Sequence, residues 1–174
     1  MATEILTDRF ILRSFVQSDL DDVYKGLSHP EVIKYYGISY KTFEETQAQI
    51  DWFKEMEVNH TGQWWAICNK DDAAFLGGVG FNNFQAKHFC AELGIWILPQ
   101  HWGLGIFKEV VNSVFLYAAT EWKLHRMEAV VESDNRQCIS GLMKAEFIFE
   151  GKRRECEYKD GRFIDLNIYS KLAK

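Results

Sequence analysis

Only two prolines occur in 174 residues, and no low-complexity stretch interrupts the chain. Nothing marks a linker and no internal repeat is visible, so residues 1–174 read as one domain. No apolar run approaches the roughly 18 to 20 residues that a membrane-crossing helix needs. The start, Met1-Ala2-Thr3-Glu4, lacks the basic opening and apolar centre of a signal peptide, and a cytoplasmic protein without membrane contact is expected. Cysteine is sparse as well. Cys68, Cys90, Cys138 and Cys156 stand far apart, with neither metal-type pairing nor a disulfide framework, so reduced thiols are expected. The five histidines are equally scattered, and no metal site is expected. Positive charge is not in excess. A formal charge of −5 argues against binding nucleic acid through the whole surface and is mildly compatible with a cationic substrate, although solubility alone explains it.

What is present is material for a core: 47% of the residues are hydrophobic and 15% aromatic, enough at this length to bury a sizeable interior. Alternation predicts a first strand over residues 9–15, and Ser18-Asp19 caps a helix running to about residue 27. A second helix follows over 43–57. Residues 63–68 and 75–81 form a strand pair around the polar turn at 69–72, and a further strand runs from 89 to 98. Then comes a helix from Ile106 whose Phe107, Val110, Val111, Val114, Phe115 and Ala118 make a stripe for packing on a sheet. A strand at 126–132, a short helix at 135–144 and strands around 147–155 and 163–169 complete the chain. The fold class is α/β, a twisted mixed sheet of about seven strands with helices on both faces.

Between the strand ending at Pro99 and the helix at Ile106 stands Gln100-His101-Trp102-Gly103-Leu104-Gly105. A glycine-loosened turn feeding a helix makes an anion site, because the first amides of the helix have no internal partner and converge at the positive end of its dipole. The two glycines let a phosphate approach the main chain. The same spacing also serves as a plain strand-to-helix connection.

With these elements in order, the chain resembles the GNAT superfamily of N-acetyltransferases, and within it the RimJ/RimL-like branch that acetylates ribosomal-protein N-termini. The resemblance spans nearly the whole chain. It rests on residues 7–13, Ser28-His29-Pro30-Glu31-Val32, Ala91-Glu92-Leu93-Gly94-Ile95-Trp96, residues 124–129, Asn135, residues 161–165, and Tyr169-Ser170. Gln100, Gly103 and Gly105 fit the family's pyrophosphate loop. The resemblance therefore implies that residues 100–105 and Ile106 hold the diphosphate of acetyl-CoA, the co-substrate. It implies that the pantetheine arm pairs with the backbone around Trp96, Ile97 and Leu98 as an added strand, that Gly94 marks a bulge splaying that strand, and that Asn135 bonds the pantetheine. A plain helix N-cap is an equal reading for Asn135.

Amide formation from a thioester needs a neutral amine, stabilisation of the oxyanion and a proton for the departing thiolate. An α-amine ordinarily titrates about 2.5 pH units below a lysine side chain, so its deprotonation at neutral pH costs roughly 3 to 4 kcal/mol less and a modest base suffices. By resemblance Glu92 is that base, directly or through water; it reads equally as a surface or ion-paired strand glutamate. Cys138 departs from the branch, which usually has serine there, and Leu142 stands where other members use tyrosine. Cys138 is thus the nearby candidate for the general acid, with a buried structural cysteine as the alternative. Glu146 replaces the family's glycine before Phe147, and Gly141 lies inside the same helix, so a reshaped turn and a less regular helix are expected.

Tyr35, Tyr36, Trp52, Trp64 and Trp65 lie where the family builds its acceptor pocket; Tyr35 and Trp64 are the expected wall residues, and core packing accounts for the other rings. His88 and His101 read as alternative bases or, more often for such exposed histidines, as residues with no chemical role. The expected acceptor is a protein N-terminal α-amine attacked in a ternary complex. Alternatives are prior acetylation of Cys138, a small amine such as a polyamine, amino acid or antibiotic, and a non-catalytic acyl-CoA sensor. A homodimer is a common family arrangement.

Overall fold

Period-two alternation becomes one eight-stranded sheet in the computed structural model, which describes residues 4–174. Met1, Ala2 and Thr3, part of the start read as lacking a signal peptide, lie outside the described residues. The strands are β1 (Ile5–Leu6), β2 (Phe10–Arg13), β3 (Gln63–Asn69), β4 (Phe75–Gln85), β5 (Cys90–Ile97), β6 (Arg126–Glu132), β7 (Ile148–Lys159) and β8 (Arg162–Leu172). In space they run β1-β2-β3-β4-β5-β6-β8-β7, antiparallel everywhere except between β5 and β6. The sheet has one strand more than the seven or so expected. The addition is β1, whose two residues are too few for alternation to register.

Helices α1 (Leu20–Leu27), α2 (Pro30–Ile33) and α3 (Phe43–Asn59) lie on one face, α4 (Ile106–Glu121) and α5 (Arg136–Lys144) on the other. The stripe of α4 packs on Trp65, Phe81 and Met127, while Val23, Leu27, Ile50 and Phe53 pack on Trp64 and Trp96. Each such fully buried side chain contributes on the order of 1.5 to 3 kcal/mol, which fixes α4 and the turn that precedes it. Asp19 serves the entry to α1 differently from the expected cap. Its buried carboxylate takes both Arg13 nitrogens, at 2.7 and 2.8 Å, and the Val16 amide at 2.9 Å.

Strands β5 and β6 pair at only three positions, Cys90 with Arg126, Ala91 with Met127 and Glu92 with Glu128, and then part. Past Glu92, β5 is held by β4 alone, which leaves a slot through the sheet. Gly94 is not the bulge expected there. Its register opposite Gly80 is unbroken, and the β4–β5 shift falls between Asn82 and Gln85, where Asn83 has a φ of 55°. Glycine is required at 94 for space, because a β-carbon would stand 2.2 Å from the Trp64 ring.

Helix α5 also differs from expectation. It is a regular helix of nine residues, with Asn135 as its N-cap and not its first residue. Gly141 does not loosen it but lets the Phe107 ring of α4 lie against it, 2.9 Å from where a β-carbon would be. At its end the Glu146 and Phe147 amides bond back to Met143 and Leu142, both at 3.0 Å, with Glu146 at a φ of 67°. The turn thus keeps the left-handed shape that glycine favours, and Glu146 bears a conformational cost of about 1 kcal/mol.

Candidate active site

The slot is lined by backbone. The Leu98 amide bonds Leu76 on β4 at 2.9 Å, so by strand alternation Trp96, Gly94 and Glu92 also turn their peptide groups toward β4. Leu93, Ile95 and Ile97 therefore turn theirs into the slot. Of the expected triplet, Trp96 and Leu98 turn their peptide groups to the neighbouring strand, and the Ile97 carbonyl accepts the Trp102 indole N–H at 2.7 Å. The amides and carbonyls of Leu93 and Ile95, with the Ile97 amide, form the free edge.

At the open end of the slot Pro99–His101 makes one turn of 3-10 helix, which places exposed Gln100 at the loop entrance. Gly103 and Gly105 follow with φ of 79° and 75°, flanking exposed Leu104. Gly105 is the N-cap of α4, and no side chain caps that helix. Because glycine supplies no oxygen there, the first amides of α4 keep their donors, with the helix dipole behind them. Ile106 beside them is buried and anchors the turn in the core. Residues 102–106 thus present a glycine-flanked, uncapped helix start.

Side chains meet this backbone from two sides. Glu92 lies at the apex of the slot, on the face covered by α1 and α3, and its carboxylate accepts the Asn83 amide at 3.0 Å. Glu128 is its neighbour on β6 but is engaged by Arg126 at 2.7 Å. Cys138 lies on the opposite face, half-buried on α5 against the α4 core. The fold therefore does not bring Glu92 and Cys138 into contact; it sets them on opposite faces of the sheet. Burial pushes the Cys138 thiol up to about 12. The Asn135 side-chain oxygen accepts the Cys138 amide at 3.1 Å, a helix cap that leaves the amide nitrogen of Asn135 as a donor.

Of the expected wall residues, Tyr35 is half-buried and its hydroxyl reaches the Asp134 carbonyl at 3.4 Å, so the segment just after α2 is tied to the turn before α5. Trp64 is buried among Trp52 and Phe53 and touches the slot only across Gly94. His88 sits in the exposed β4–β5 turn and His101 in the 3-10 turn.

Residues 9–148 match the family model for the acetyltransferase (GNAT) domain. The chain belongs to the GNAT acetyltransferases. The uncharacterized N-acetyltransferase YoaA of Bacillus subtilis is 34% identical over 165 residues, 94% of this chain and 93% of that protein. The ribosomal-protein-serine acetyltransferase of Escherichia coli is 26% identical over 97 residues, 56% and 54% of the two chains, which accords with the RimJ/RimL-like branch. The spermidine N-acetyltransferase of Vibrio cholerae, solved with CoA and spermine, superposes with a TM-score of 0.83 at 21% identity, covering 94% of this GNAT chain and 95% of its own. The activity is accordingly acetyl-CoA-dependent N-acetyl transfer.

Two features of this GNAT site escaped the sequence. Asn83, which holds Glu92, lies in the register shift of β4, a feature that only pairing with β5 creates. Arg9 and Glu109 meet beside the loop from positions 100 residues apart, and no local spacing signals such a contact.

Proposed function

We propose that this acetyltransferase modifies the α-amine of a protein N-terminus by direct attack in a ternary complex. The observation that carries the reading is the slot itself, where β5 and β6 part after three paired positions and the chain runs on to an uncapped helix start. The cradle at 102–106 holds the diphosphate, the Leu93 and Ile95 peptide groups pair with the pantetheine arm, and the Asn135 amide nitrogen donates to one of its carbonyls. The amine enters from the α1–α3 face, where Glu92 takes its proton directly or through a water.

Cys138 supports direct attack over a covalent route. A thiol raised to about 12 holds almost no thiolate at neutral pH, and the thiolate is the nucleophile. The same shift revises its role as an acid. With a pKa well above that of an ordinary thiol, Cys138 gives a hydrogen bond to the departing sulfur more readily than a proton. The proton that neutralises the thiolate then originates on the attacking nitrogen. An α-amine ordinarily loses its proton more readily than a lysine or polyamine nitrogen, which makes it the better match for a carboxylate base.

Thiol release measured with acetyl-CoA and a panel of acceptors tests this. The panel contains peptides with free N-terminal serine, alanine or methionine, spermidine and free amino acids. Turnover is expected with peptides and should fall by about 100-fold in Glu92→Gln, with CoA affinity little changed. Turnover with spermidine alone would move the acceptor to polyamines, and CoA binding without release on any acceptor would leave a sensor.

A further inference from the structure

Arg9, in the turn between β1 and β2, lies against a loop 95 residues further along the chain. Its Nη1 donates to the Leu104 carbonyl at 2.9 Å. Its Nε donates to Glu109 Oε2 at 2.8 Å, its backbone amide donates to Oε1 at 2.9 Å, and the Thr7 hydroxyl donates to Oε1 at 2.7 Å. Nη2 faces Gly105, 3.6 Å from where a β-carbon would stand. One planar fork therefore spans the first turn of α4 and the middle of the glycine loop.

Two consequences follow from that geometry. The Leu104–Gly105 peptide ends on Gly105, and both glycines flanking Leu104 have left-handed φ, so rotation of this peptide plane is little restrained on its glycine side. Because a peptide is planar and trans, fixing the Leu104 oxygen toward Arg9 sends the Gly105 N–H the other way, which settles which of the two groups the loop presents to an anion. Glu109, for its part, puts a carboxylate into the helix turn that meets the anion, and Arg9 offsets that charge. Burial pulls the Glu109 carboxyl upward, but the bonds from Thr7 and Arg9 outweigh this and leave it below its ordinary value, so the pair is charged throughout the neutral range.

We propose that Arg9 is the positioning residue of the diphosphate loop, its fork on Glu109 and Leu104 holding the Leu104–Gly105 peptide in the orientation that binds CoA. The inference rests on the reading of residues 102–106 as the diphosphate cradle. Lysine keeps the charge of Arg9 but has no fork to reach both partners, so Arg9→Lys separates positioning from charge.

Calorimetry with CoA, and kinetics with acetyl-CoA and an accepted peptide, test the proposal on the full chain, with melting temperatures to confirm folding. Arg9→Gln and Arg9→Lys should both weaken CoA binding and raise KM for acetyl-CoA by about tenfold, with kcat at saturation within about twofold of the parent. Glu109→Gln provides a second variant should loss of Arg9 prevent folding, and a smaller rise in KM is expected from it. Unchanged CoA affinity in the folded variants overturns the proposal, as does full rescue by lysine, which would leave charge as the whole effect. Failure of the parent chain itself to bind CoA would instead overturn the cradle reading.

Discussion

Cys138 shows how far a residue's chemistry depends on its surroundings. A free thiol is a fair acid, but half-buried on α5 it holds its proton to about 12 and serves better as a hydrogen-bond donor. Serine has a stronger donor of similar size, and the Asn135 cap bonds only the backbone at 138, so Cys138→Ser should keep or raise turnover. Cys138→Ala, which removes the donor, should lower kcat about tenfold while KM for acetyl-CoA stays nearly constant, the equivalent of one lost hydrogen bond of about 1.4 kcal/mol. Steady-state kinetics on the two variants check this. Equal turnover in the alanine variant would make the cysteine structural.

Helix α5 carries both Asn135 and Cys138, so its placement against α4 matters more than its intrinsic propensity. Alanine at 141 would gain about 0.5 to 1 kcal/mol of helix propensity, yet its β-carbon meets the Phe107 ring at 2.9 Å, and overpacking costs about 1 to 3 kcal/mol. Gly141→Ala is therefore expected to lower stability in urea unfolding and to reduce turnover by shifting α5. The other end of the element has the opposite sign. Glu146→Gly should raise stability by about 1 kcal/mol in the same measurement, since it relieves a left-handed glutamate and loses only a weak 3.7 Å contact from its exposed carboxylate to Lys171.

Across the whole molecule, carboxylates held by cations tie the far side of the sheet together. Arg126 and the Ser170 hydroxyl hold the Glu150 carboxyl at about 2, joining β6, β7 and β8, while Glu109 and Asp165 are also lowered. A depressed carboxylate stabilises the fold above its unfolded value, near 4.3 for glutamate, and loses that contribution as pH falls toward the folded value. Thermal melting should therefore be flat from about pH 6 to 8 and drop steeply below about 4.5. Arg126→Gln should reduce the part of that acid dependence that Glu150 supplies, and an unchanged slope would show that the pair carries none of it.

Much of this architecture is written locally. The stripe from Phe107 to Ala118 specifies α4, the alternation at 126–132 matches β6, and Gly103 and Gly105 mark the turn into α4, because helix, strand and turn preferences act over a few residues. Gly94, Gly141 and Glu146 depart from local expectation for a common reason: their surroundings, the Trp64 ring, the Phe107 ring and the bonds closing the end of α5, come from folded contacts and not from the residues' own preferences. The sequence alone determined the family and most of the elements, though not the short β1 and α2. Tertiary structure decided where β5 leaves β6, which backbone groups face the slot, that Glu92 and Cys138 stand on opposite faces, and that Arg9 reaches Leu104. Those facts depend on pairing between distant segments, and no short-range preference encodes it.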